Sequence, residues 1–405
     1  MPAAGPSPGA RPSRAQQREN PCQSSSGSLD QRLTAAASAL PPTTGEALSD
    51  ERFNQLALEL FALQFQSNPA YQALCRARSR PPSTVEHWTQ IPAVPTAAFK
   101  ELELSSIPAA ERTVVFHSSG TTEQKPSRHF HDDASLAVYE ASLTHWFDRH
   151  LGAAGALHFL TPGRLAAPHS SLIYMFETLR QRRSLPESVF LGNIAGDGSW
   201  VLDFAAVLVE LRSASAEGRP VTLLGTAFSF VHLLDCLTDH ELRFTLPAGS
   251  RVMETGGYKN RSRTLPKAEL HALITEKLGI PAAHILCEYG MSELSSQAYA
   301  VTSDEWRVTS KNAGAPDSSP ATHHSSLPPP FVFPPWARAQ IVSPETGRQV
   351  AEGQTGIIRI MDLANVFSVA AVQTEDLGIR RGTGFELVGR AGQAEPRGCS
   401  LMAAV

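Results

Sequence analysis

The stretch Val114 to Arg128, VVFHSSGTTEQKPSR, decides how the rest of the chain is read. It begins as a β-type apolar run of Val114, Val115 and Phe116. It then passes into Ser118, Ser119, Gly120, Thr121 and Thr122, with Lys125 close behind. Small side chains let backbone N–H groups approach an oxyanion, hydroxyls add donors, and the lysine adds positive charge. The pattern predicts a strand that opens into an anion-cradling loop. G-x-x-x-x-G-K-[ST] occurs nowhere in the chain, so the P-loop reading fails. A Ser/Thr-rich turn without chemistry is the alternative that the local sequence leaves open.

Working outward, IPAVPTAAFKELEL reads as an extended, proline-punctuated lead into the loop, with Phe99 and Lys100 placed to shape the space in front of it. Further upstream, Ser49 or Asp50 can cap a helix with Phe53, Leu56, Leu58, Leu60, Phe61 and Phe65 at helical spacing, and a second helical piece covers Tyr71 to Arg76. Residues 1–48 are rich in Pro, Ala, Ser, Gly and Gln and are expected to be disordered. Downstream, a long helix over HDDASLAVYEASLTHWFDRHL is capped by Asp132 or Asp133. Strands and helices then alternate as far as HILCEYG, with Ser188 to Leu191 read as a strand and Trp200 to Ala214 as a helix. That recurrence predicts an α/β fold, a layered sheet with site loops at the strand ends. Residues 312–335, proline- and serine-rich, read as a long surface loop; His323 and His324 within it lack the partners a metal site needs. Beyond it, ARAQIVSPETGRQVAEGQTGIIRIMDLAN reads as a β-hairpin, and the tail from TEDLG as strands with glycine turns.

Composition removes whole classes of function. The 405 residues carry a net charge of −4, which supplies no basic field for nucleic acid, and no nucleic-acid motif is present. The longest apolar runs are interrupted by charge, so no membrane span is expected. MPAAGPSPGARPSR has no apolar core of a secretory signal, which makes the cytoplasm the expected location. The five cysteines (Cys22, Cys75, Cys236, Cys287 and Cys399) form no C-x-x-C pair and read as free thiols.

Three further stretches carry candidate chemistry. In EYGMSELSSQAY, Glu293 beside Ser292 offers hard oxygens to Mg²⁺. In METGGYKN, Gly256 and Gly257 let a flat ring lie against the backbone and Tyr258 can stack on it. In TEDLG, Asp376 can accept the two hydroxyls of a ribose. Taken singly, each is also an ordinary turn.

Their order is the stronger signal. S-S-G-T-T, Gly-Gly, Y-G-M-S-E, T-E-D and then Gly389-Arg390 resembles the core-motif succession of the adenylate-forming superfamily. More narrowly, HSSGTT, EYGMSELSSQAY, DLAN, TEDLG, GR and RGCSL resemble the LuxE-type acyl-protein synthetases from about Leu48 onward. The resemblance implies αβα subdomains with a small β-rich part, spanning residues 49–390. It implies that Ser118, Ser119, Gly120, Thr121, Thr122 and Lys125 hold ATP phosphates, and that Gly256, Gly257 and Tyr258 border the adenine. Glu293 would bind Mg²⁺, Asp376 the ribose, and Arg390 would sit beside it. It further implies formation of an acyl-adenylate from a carboxylic acid, expected to be a fatty acid. The acyl group would pass to a cysteine near the C-terminus, and from there to a reductase-like protein partner.

Cys399, in the 391–405 tail, stands in that position, with Arg397 nearby to favour its thiolate. Cys287 is the rival nucleophile. Two departures stand out: Glu123 occupies a position that is commonly glycine, and the sequence stops at Val405, soon after the Gly389-Arg390 hinge. The mobile C-terminal domain of full-length synthetases, which delivers a catalytic lysine, is therefore expected to be lacking, so that adenylation would rely on Lys125, Lys259, Arg390 or a partner. Ser170, Met175 and Phe228 are candidate lining for an apolar acyl pocket. Direct transfer to CoA, a carrier protein or an amine remains a second reading, and a non-catalytic nucleotide-binding scaffold a third.

Overall fold

A computed structural model describes residues 29–38, 48–118, 125–152, 155–183, 185, 187–256, 265–301 and 328–391. Helix α1, Leu29–Ser38, lies inside the segment expected to be disordered. Its Leu33 is buried, so a short amphipathic piece escapes the compositional argument by packing on its neighbour. Helix α2, Asp50–Ser67, starts where Ser49 Oγ accepts the Arg52 N–H at 3.2 Å and where Asp50 and Glu51 meet the positive helix end. Helix α3, Pro69–Ala77, begins with a proline whose missing N–H costs nothing in the first turn, and Asn68 caps it. The extended lead contains β1, Val94–Pro95, and a single helical turn α4, Ala98–Glu101.

Strands β2, Val114–His117, and β3, Arg128–His131, form an antiparallel hairpin that pairs His117 with Arg128 at its open end. Asp132 and Ser135 close a capping box on α5, Asp133–Leu151. The alternating region then runs β4, Ala156–Phe159; α6, Ser171–Arg183; β5, Val189–Phe190; β6, Gly192–Ile194; and β7, Trp200–Leu202. It continues as α7, Phe204–Glu217; β8, Val221–Thr226; α8, Ala227–Asp239; β9, Arg251–Thr255; α9, Lys267–Leu278; and β10, Ile285–Tyr289. The helix expected from Trp200 therefore starts later. Trp200 to Leu202 pair with β6, and Asp203 caps α7 by accepting the Ala206 N–H.

Strands β5, β4, β8, β9 and β10 lie side by side and parallel. All six residues of β8 are buried, as expected for a parallel strand covered on both faces. From β10 the sheet continues antiparallel through β11, Ala298–Ala300; β12, Phe331–Val332; and then β16, Gly384–Arg390. It ends with β15, Ala371–Arg381; β14, Thr355–Asp362; and β13, Ala337–Val342, with β1 added in parallel to β15. Strand β12 lies in the stretch read as a surface loop. Phe331 and Phe333 are buried there, and Phe331 pairs with Phe385, so two aromatics flanked by prolines complete the sheet.

Two cores result. One packs α5, α6, α8 and α9 on the parallel half, around Leu157, Phe159, Leu223 and Val252. The other packs α2 and α3 on the antiparallel half, around Phe53, Phe61, Tyr71, Ile358, Ile360 and Phe385. Gln64 of α2 stitches the second core together: its amide donates to the carbonyls of Asn365 and Val366 at 2.8 and 2.9 Å, and its Oε1 accepts the Ala370 N–H.

Candidate active site

The β2–β3 hairpin positions the Ser/Thr/Gly loop. At its base Ser118 Oγ accepts the Ser127 N–H at 3.0 Å, and the Ser118 N–H reaches the Ser127 carbonyl at 3.3 Å. Ser118 thus closes the neck of the loop. Ser119, Gly120, Thr121 and Thr122 lie outside the described residues. Lys125 is described, and its Nζ is 3.0 Å from Glu101 Oε2 in an exposed pair. Beside the hairpin, His117 and His169 stack with ring centroids 4.5 Å apart. Burial, then the neighbouring His169 and Arg128, lower the pKa of His117.

The loop after β10 docks against this hairpin. Ser127 Oγ donates to Glu293 Oε1 at 2.8 Å, and Ser292 Oγ to Glu293 Oε2 at 3.0 Å. Buried His129 is drawn down to about 4 by desolvation and is therefore neutral, and its Nδ1 donates to the Ser292 carbonyl at 2.9 Å. The DLAN stretch holds the same loop from the other side. Asn365 Nδ2 donates to the Glu293 carbonyl at 2.9 Å, and Asp362 accepts the N–H groups of Ser295 and Ser296 and the Ser296 hydroxyl at 2.7–2.9 Å. Glu293, 1% exposed, is fixed beside Ser127 at the neck of the β2–β3 connection.

Asp376 and Arg390 are register partners on β15 and β16, and Arg390 Nε lies 3.5 Å from Asp376 Oδ1. Tyr289, at the end of β10, donates its hydroxyl to Asp376 Oδ2 at 2.8 Å. Burial and then the Asp376 charge keep that phenol well above its ordinary pKa, so it remains a donor. Thr374 Oγ1 accepts the Asp376 N–H at 3.0 Å, which explains the value of a threonine two residues before the aspartate. Gly256 follows β9 with φ +75°, a left-handed turn that favours glycine. Gly257, Tyr258 and Lys259 lie outside the described residues.

Residues 166 and 87 positions apart in sequence therefore meet. Ser127, held by Ser118, donates to Glu293, and Tyr289, four residues before Glu293, donates to Asp376, which lies beside Arg390. Ser127, Thr374 and Asp362 carry no signal in the sequence taken residue by residue; DLAN is marked only by the family resemblance. Met175 and Phe228 are buried in the core of the parallel half, while Ser170 sits at the start of α6, where its Oγ accepts the Ile173 N–H. Among the described residues Cys75, Cys236 and Cys287 are free thiols; Cys22 and Cys399 lie outside them. No helix among the described residues is long and apolar enough to cross a membrane.

The fold is that of the adenylate-forming ligases. A 2-hydroxyisobutyryl-CoA ligase in complex with 2-HIB-AMP and CoA superposes with a TM-score of 0.62 at 13% identity, covering 89% of this chain and 74% of that one. An open conformation of the same enzyme gives 0.59 over 88% and 75%. Within that class, residues 25–315 match the family described as acyl-protein synthetase, LuxE, and the chain belongs to that family. Two long-chain-fatty-acid–luciferin-component ligases are similar along most of their length. That of Vibrio harveyi is 23% identical over 86% of each chain, and that of Aliivibrio fischeri 24% identical over 86% of each.

Proposed function

We propose that this protein activates a carboxylic acid, a fatty acid by kinship with the two luciferin-component ligases, at the expense of ATP and then carries the acyl group on Cys399 to a reductase-like partner. The observation that carries the reading is that one short segment makes both contacts: Tyr289 bonds Asp376, itself 3.5 Å from Arg390, and buried Glu293, four residues on, accepts from Ser127 at the neck of the β2–β3 loop. A carboxylate oxygen of the acid attacks the α-phosphorus of ATP, the bond to the β-phosphate oxygen breaks, and pyrophosphate leaves. The Cys399 thiolate then attacks the acyl carbonyl and AMP departs.

Asp376 receives the ribose hydroxyls, oriented by Tyr289 and Arg390. Ser118, Ser119, Gly120, Thr121 and Thr122 donate to the phosphate oxygens, Lys125 offsets their charge, and Gly256, Gly257 and Tyr258 border the base. Positioning and charge neutralisation of this kind are the main resources for attack at phosphorus. Glu293, Ser127 and Ser292 form an all-oxygen set that suits Mg²⁺, which when bound neutralises phosphate charge. Ser170, Met175 and Phe228 mark the side of the parallel half where an apolar chain would enter. We place the reaction in the cytoplasm, in keeping with the free thiols.

The test is acid-dependent exchange of labelled pyrophosphate into ATP, together with labelled acyl group retained on the denatured protein. Cys399→Ser should keep exchange and lose the label. A label that survives the substitution overturns the thioester step. Exchange with no covalent label in the wild type would point to direct transfer to CoA, a carrier or an amine. ATP binding without exchange, for acids of every chain length, would point to a nucleotide-binding scaffold.

A further inference from the structure

On the face of the sheet covered by α9, a second cluster of reactive groups lies outside the set assigned to ATP. Glu254 of β9 and Cys287 of β10 are register partners, so their side chains project together. Both are buried, and the Cys287 thiol donates to Glu254 Oε1. From α9, His271 brings Nε2 to 3.4 Å from that oxygen and 4.0 Å from the sulfur. Lys267, one turn earlier on α9, places Nζ 3.5 Å from the same oxygen.

The three ligand atoms lie within 4.8 Å of one another. Tetrahedral Zn²⁺, with bonds of about 2.0–2.3 Å, spaces its ligands by roughly 3.3–3.8 Å, so the imidazole already stands near two such edges. Thiolate, imidazole and carboxylate are together a zinc-type donor set.

We propose that Glu254, His271 and Cys287 form a site for a zinc-class divalent cation that clamps α9 to β9 and β10. Binding forms bonds from the metal to sulfur, nitrogen and oxygen, and the thiol proton leaves for solvent. A cation already occupies this place in the form of the Lys267 ammonium. Its side chain is 47% exposed, so it can swing into water as the metal enters. The alternative use of Cys287, as an acyl-accepting nucleophile, fits the geometry poorly. The sulfur is buried, and desolvation followed by the Glu254 charge keeps the thiol well above its ordinary pKa. A metal supplies the charge that releases that proton and needs no room for an acyl chain. The inference stands independently of the proposed reaction.

Titration of the reduced full-length protein with Co²⁺ tests it. One equivalent should give a sulfur-to-cobalt charge-transfer band in the near ultraviolet with tetrahedral bands in the visible, all removed by Zn²⁺. Cys287→Ser should lose the near-ultraviolet band, while Cys236→Ser and Cys399→Ser keep it. His271→Ala, a change at a partly exposed helix position, should weaken binding at least tenfold, or about 1.4 kcal/mol, and keeps the proposal testable should Cys287→Ser fail to fold. Lys267→Met should tighten binding roughly tenfold, because it removes a competing positive charge. Absence of the charge-transfer band in the wild-type protein, or its persistence in Cys287→Ser, overturns the assignment. So does unchanged affinity in both His271→Ala and Lys267→Met.

Discussion

Asp362 and Glu254 are both buried carboxylates, 0% and 1% exposed, yet opposite partners answer their charge. Asp362 is met by neutral donors only: the N–H groups of Ser295, Ser296 and Ala364 and the Ser296 hydroxyl. Desolvation outweighs those bonds and lifts its pKa to about 6. Glu254 suffers the same desolvation, but the Lys267 ammonium and the hydrogen bonds from His271 and Cys287 reverse it, and its pKa ends below the ordinary value. The difference teaches what each is for. The first uses its acceptors to hold a loop in shape, whereas the second sits among titratable groups, Lys267, His271 and Cys287.

The comparison can be broken most sharply at Asp362. Asp362→Ala leaves three backbone N–H groups and a hydroxyl without their acceptor. It should cost about 3–5 kcal/mol of unfolding free energy in urea, with the loop carrying Glu293 loosened as a result. A loss under 1 kcal/mol would show that water replaces the carboxylate.

A smaller effect of defined sign comes from pH. The folded Asp362 carboxyl keeps its proton up to about pH 6, while the unfolded one releases it near 4. Between those values the native state binds more protons, so this group's contribution falls as pH rises and levels off above about 6, by about 3 kcal/mol at most. Glu254 has the reverse sign: its contribution is present above the ordinary carboxylate range and is lost as pH falls below it. The unfolding free energy of wild type minus that of Asp362→Asn should therefore fall as pH rises from 4.5 to 7. Parallel curves would count against the assignment.

The smallest stability effect belongs to the exposed Lys125–Glu101 pair. Lys125→Met should change stability by less than about 0.5 kcal/mol. It should nevertheless lower pyrophosphate exchange by more than roughly tenfold if the ammonium meets phosphate in the working site. Near-normal exchange would remove Lys125 from the site.

What was legible in the sequence was what is local. Ser49, Asp132 and Gly256 could be read because a cap or a left-handed turn depends on one residue and its neighbours. The alternating buried strands could be read for the same reason, and motif order then tied distant stretches to one site. Pairing between remote segments left no such mark. Nothing around Phe331 announces that it will pair with Phe385, and nothing in KPSR marks Ser127 as the donor to Glu293. The Glu254–Cys287 pair depends on the register of two parallel strands, which the sequence between them does not disclose.

The Gln64 stitch has a consequence for how the chain is made. Helix α2 precedes its partners by far: the backbone groups that satisfy Gln64 belong to Asn365, Val366 and Ala370, about three hundred residues later. The parallel half, whose strands and helices follow one another closely, can complete its core while synthesis continues. The apolar face of α2, with Phe53 and Phe61, must stay unsatisfied until β14 and β15 have emerged. During translation α2 is thus made well before the segments it settles against.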